Sequence, residues 1–93
     1  MTVFYLTYDL INEKGSHDYE PLWSELKRLD AHRTQYSAWL INLANKPVEV
    51  TNHFKKYLDK DDRIMVTRLR KNEYDYFNAM AGTNAWLEKN QPD

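Results

Sequence analysis

The chain has no cysteine, two glycines and three prolines among its 93 residues. Without cysteine there is no disulfide framework, no thiolate nucleophile and no cysteine-ligated zinc or iron–sulfur site, and a reducing compartment is allowed. With only Gly15 and Gly82, no glycine-rich loop is available to cradle a phosphate. Long hydrophobic runs are missing too: none approaches the ~20 apolar residues of a membrane helix, and the first strand has neither a basic lead-in nor a small-residue cleavage site. The expected location is the cytoplasm, with no membrane partner. An excess of either charge is also lacking. Lys+Arg number 13 against 14 Asp+Glu, a formal net charge of −1, so a site for a polyanion has to be a local patch.

What is present fits one domain over residues 1–93, enough chain for one core. Val3 to Leu10 alternates Phe4, Leu6, Tyr8 with Val3, Tyr5, Thr7, Asp9 and is rich in β-branched and aromatic residues, which predicts a strand. Turn chemistry follows over 12–16, with Ser16 or Asp18 placed to cap a helix. Tyr19, Leu22, Leu26 and Leu29 form an amphipathic stripe with Glu20, Glu25, Lys27 and Arg28 off it, and Pro21 falls in the first turn, where it is tolerated.

From His32 to Leu43 the period returns to two. The run is either one bent strand or a hairpin with its corner near Tyr36-Ser37. Asn45-Lys46-Pro47 opens a second helix with Val50, Phe54 and Leu58 on its buried face, ended by the polar run over 59–62. Arg63 to Leu69 is another strand, Ile64 and Val66 facing one way and Met65, Thr67 and Leu69 the other. With the middle run counted as two strands the order is βαββαβ, an α+β ferredoxin-like arrangement with two helices on one sheet face. Val3, Tyr5, Thr7 and Asp9 are then left on the open face, an apolar and aromatic patch that a symmetric homodimer would cover. The tail carries Tyr74, Phe77, Met80 and Ala81 at helical spacing, a break at Gly82-Thr83-Asn84 and a short Trp86-Leu87 segment. It reads as a helical C-terminal extension.

The strand ending in Tyr8-Asp9, then Arg33, Gln35, Ser37 and Trp39 in the spacing R-x-Q-x-S-x-aromatic, and Asp61-Asp62-Arg63 before the last core strand resemble the CRISPR-associated protein 2 family and its SinR-like relatives. The resemblance implies a ferredoxin-like homodimer that binds DNA or RNA. It also implies Asp9 as the metal-linked residue of a weak endonuclease activity, with Arg33, Gln35 and Ser37 as the polar positions of the motif. The helix-patterned tail departs from the short fifth strand of that family.

Asp9 has two readings on chemistry alone. Mg²⁺ keeps several waters and needs only one or two carboxylates, which two copies of Asp9 across a dimer axis would supply for phosphodiester hydrolysis. Alternatively, Asp9 closes the strand and caps the turn after it. Arg68, Arg70 and Lys71, with Lys27, Arg28 and Arg33, suit a phosphate-contacting rim beside Tyr74 and Tyr76, although Glu73 and Asp75 interleave them. His17, His32 and His53 lack paired ligand spacing, and Ser16-His17-Asp18 is explained by a helix start rather than a triad. Two function classes follow: a dimeric nucleic-acid-binding protein, with or without Mg²⁺-dependent cleavage at Asp9, and a non-enzymatic module that presents the same dimer to a protein partner.

Overall fold

A computed structural model describes residues 1–11 and 19–93. The expected turn over 12–16, the Ser16 or Asp18 cap and the position of His17 lie outside the described residues. The rest runs β1 (Thr2–Asp9), α1 (Glu20–Arg28), β2 (His32–Gln35), β3 (Ala38–Leu43), α2 (Pro47–Lys55), β4 (Arg63–Arg68) and α3 (Thr83–Lys89). The four strands form an antiparallel sheet in the order β2-β3-β1-β4. Of the two alternatives for residues 32–43, the hairpin is the one formed, with Tyr36 and Ser37 at its corner.

Strand alternation sorts β1 as its pattern predicts. Phe4, Leu6 and Tyr8 lie in one cluster with Leu22 and Leu26 of α1, Trp39 and Ile41 of β3, and Val50 and Phe54 of α2. Both helices therefore cover the same sheet face, and Ile64 and Val66 pack against that cluster from β4. Each fully buried aliphatic or phenyl group here contributes on the order of 1.5–3 kcal/mol. Pro21 sits in the first turn of α1, and Lys27 and Arg28 sit in its last turn, where their charge complements the helix dipole. In α2, Pro47 occupies the opening position and the Lys46 N–H donates to Glu49 Oε1 at 2.8 Å.

Tyr8 ties three elements together. Its hydroxyl accepts from Trp23 Nε1 of α1 and Trp39 Nε1 of β3, both at 3.0 Å. The phenol thus supplies an acceptor to two indoles whose N–H groups have been drawn out of bulk water.

The opposite face departs from the sequence expectation at one end. Its Val3 and Leu40 end is covered from within the chain: Leu87 of α3 is buried on them, with Tyr5, Leu69, Tyr74 and Trp86 around. The apolar spacing of Tyr74, Phe77, Met80 and Ala81 does not form a helix. Asn72 and Asn78 take φ of 63° and 56°, left-handed conformations that interrupt helical backbone. This stretch instead runs along the sheet, and its Met80 N–H donates to the Thr34 carbonyl of β2 at 2.9 Å.

The helical extension begins only after Gly82, whose φ of 95° favours glycine and whose added Cβ would meet His32 Cε1 at 3.3 Å. Three bonds dock α3: Trp86 Nε1 to the Asp30 carbonyl at 2.8 Å, Asn42 Nδ2 to Asn90 Oδ1 at 3.0 Å, and His32 Nε2 to Thr83 Oγ1 at 2.8 Å. The Thr83 hydroxyl proton goes to the Met80 carbonyl, so His32 Nε2–H is the donor, and burial pushes the His32 pKa below its ordinary value. Among the described residues no helix is long and apolar enough to cross a membrane.

Tyr8→Phe keeps the ring and removes the shared acceptor. Stability by urea unfolding should fall by about 1–3 kcal/mol with an unchanged m-value. Wild-type stability in this variant would mean that the shared acceptor adds nothing to the hold of β1 on Trp23 and Trp39.

Candidate nucleic-acid interface

The alternating motif of the second strand does not stay on one face. Arg33 pairs with Trp39 and Gln35 with Ala38, so Thr34 is an extra residue in β2, a bulge that reverses the side-chain alternation. Arg33 and Trp39 fall on the helix-covered face, and Gln35 on the open one. The Arg33 guanidinium lies 5.4 Å from the centre of the Trp23 ring, 5.2 Å from Tyr36 and 5.5 Å from Trp39. Its Nε and Nη2 donate to the Tyr36 carbonyl at 2.9 and 2.5 Å. Expected as a phosphate contact, Arg33 is held in place by three rings and its own turn.

The open face keeps the other motif residues together. Asp9, Gln35 and Ser37 line a shallow depression of about 620 Å³ with Tyr5, Thr7, Met65 and Arg63. Arg63 enters because it stands directly across β1–β4 from Asp9, and its guanidinium lies 3.6 Å from the Asp9 carboxylate. Sequence reasoning placed Arg63 only in a strand-leading motif; the signal that would have found it is the antiparallel register. Asp62, beside it, is a clamp: Oδ1 accepts from the Ile11 N–H at 2.9 Å and the Tyr19 hydroxyl at 3.1 Å, and Oδ2 accepts from the Asp59 N–H at 2.7 Å.

Among the described residues Asp9 is the one carboxylate that lines the depression, 66% exposed and already beside a guanidinium that an incoming cation would have to displace.

The basic residues after β4 lie at the other end of the sheet. Arg68 stands opposite Phe4, five residues along β1 from Asp9 and so roughly 17 Å away. Its guanidinium is 3.9 Å from the Asp93 carboxylate, and the Asp93 carbonyl accepts from the Lys71 N–H at 2.9 Å. Arg70 and Lys71 are exposed. The expected rim is therefore divided, with Arg68, Arg70 and Lys71 at the far end of the sheet, Lys27 and Arg28 on α1, and Arg33 on the other face.

A second charged group was missed because Glu25 was placed off the buried stripe of α1. Glu25 is buried, 8% exposed, between a guanidinium and an imidazole. Arg28 donates to it through Nε at 2.6 Å and Nη2 at 2.9 Å, and His53 Nε2 of α2 lies 2.5 Å from its Oε2. Hydrogen bonding from Arg28 outweighs desolvation and, with His53, holds the Glu25 pKa down at about 2; the same contact raises that of Arg28.

No protein-family model matches the chain, and no solved structure matches it significantly.

Because the folded pKa of Glu25 is depressed, its contribution to stability is complete above the unfolded value near 4.5 and is lost as pH falls toward 2. Glu25→Gln should therefore be less stable than wild type at neutral pH, and the gap should close between those two values. Denaturant unfolding of both proteins over that range measures it; a gap independent of pH would show that the carboxylate charge contributes nothing.

Proposed function

We propose that this chain is a ferredoxin-like homodimer that binds nucleic acid, of the type of the CRISPR-associated protein 2 family. The fold part is supported by the βαββαβ order of the first six elements, the sheet order β2-β3-β1-β4 and the shared face of α1 and α2. The binding part rests on one observation: Asp9, Gln35 and Ser37 gather with Arg63 around a single depression on the half of the open face that α3 leaves uncovered. Met65, 70% exposed beside them, is an apolar anchor for a second copy. Across a two-fold axis the Asp9 of each copy faces the Arg63 of the other with complementary charge. Arg70 and Lys71 then contact phosphates from the sheet end, as point charges that hold the backbone without reading sequence.

Cleavage is the second-ranked reading, because Asp9 is ion-paired with Arg63 and no second carboxylate among the described residues lines the depression. A protein-binding module is the alternative, favoured by Phe77 and Tyr76, 89% and 42% exposed on the segment after β4.

Light scattering at micromolar concentration should give twice the 11.2 kDa of one chain. Affinity for single- and double-stranded DNA and RNA should fall with salt, and reversing Arg70 and Lys71 should lower that slope by roughly two counterions. A monomer, or no retardation of any nucleic acid at low salt, would overturn the proposal. Asp9→Asn separates the readings: with Mg²⁺ or Mn²⁺, a cleavage rate that drops by more than about tenfold assigns a metal to Asp9. Absence of cleavage by the wild type leaves binding alone.

A further inference from the structure

On the same sheet face, at the α3 end, the segment after β4 and the sheet together line a second cavity. It measures about 360 Å³, within the range of small-ligand sites. Buried Leu40 and Leu87 form its base, and Tyr5, Tyr74, Tyr76 and Phe77 contribute four rings to its wall. Among the described residues no lysine, arginine or histidine lines it, and Asp75 is the one charged side chain that does. An anionic ligand is therefore disfavoured, which separates this cavity from any phosphate-contacting surface.

The polar atoms favour a visitor that needs acceptors. The Tyr5 hydroxyl donates to Gln35 Oε1 at 2.5 Å, and the Tyr76 hydroxyl donates to Asn84 Oδ1. With both protons committed inside the protein, these phenols offer lone pairs and ring faces. Ring faces attract cations through their quadrupoles, and Asp75 supplies a counter-charge beside them. Phe77 is the observation hardest to explain otherwise: a phenyl group 89% exposed at the edge of an aromatic-walled cavity has nothing to gain from the fold as it stands.

We propose that this cavity binds an organic cation, an alkylated ammonium or guanidinium group, with the rings of Tyr5, Tyr74, Tyr76 and Phe77 around it and Asp75 as its counter-ion. The alkyl part rests on Leu40 and Leu87. A free amine and the modified side chain of a peptide carry the same chemistry.

The test is a chemical-shift titration of the full chain with choline and with dimethylbutanol, its uncharged carbon isostere. Choline should move the amides of Tyr5, Gln35 and Tyr74 to Phe77 saturably, and the isostere should bind roughly tenfold or more weakly. Asp75→Asn is an exposed change, and with unaltered shift dispersion it should weaken choline by a similar factor, as should Phe77→Leu. Equal binding of the isostere, an unaffected Asp75→Asn variant, or no localised shifts would overturn the proposal. A trimethyllysine peptide that binds more tightly than choline, with unmodified lysine weaker, assigns a side-chain source; choline as the tighter ligand assigns a free amine. Neither result depends on nucleic-acid binding.

Discussion

One extra residue in a four-residue strand decides which chemistry this protein shows on which side. Thr34 bulges out of the β2–β3 ladder, so Arg33 points to the helix-covered face and Gln35 to the open one. Arg33 is thereby committed to the rings of Trp23, Tyr36 and Trp39, and Gln35 and Ser37 are delivered to the depression that holds Asp9. Without the bulge, Arg33, Gln35 and Trp39 would share one face. Gln35 would then be turned away from Asp9, whereas Trp39, placed by its pairing opposite Leu6 of β1, would stay beside the Tyr8 hydroxyl. The surface site, not the interior, is what the irregularity makes.

Much of the frame was legible because it rests on periodicity. Phe4, Leu6 and Tyr8 against Leu22, Leu26, Val50 and Phe54 is a period-two pattern meeting period-3.6 patterns, and burial follows directly from it. The hairpin corner at Tyr36-Ser37 was one of two readings, since a bent strand and a hairpin share a hydrophobic pattern. The tail was misread for a different reason. Tyr74, Phe77 and Met80 have helical spacing, but left-handed backbone at Asn72 and Asn78 is a local choice that spacing does not record.

The site was legible in part. Asp9 and the polar motif positions were chosen from strand position and resemblance, and three of the four, Asp9, Gln35 and Ser37, line one depression. Arg63 and Glu25 escaped because their roles depend on partners distant in sequence. Arg63 acquires its meaning from register with β1, and Glu25 from His53 arriving on α2. A buried carboxylate between a guanidinium and an imidazole looks, in sequence, like any other charged residue on a helix.

The position of β1 carries a consequence for how the sheet forms. β1 precedes both strands it pairs with, yet lies in the interior of the sheet, with Phe4 opposite Ile41 on one side and Arg68 on the other. Each of these pairings closes a long stretch of chain, and the one with β4 closes the longer. Until β4 arrives, an apolar, β-branched and aromatic strand waits with at least one row of backbone donors and acceptors unmatched, open to mispairing.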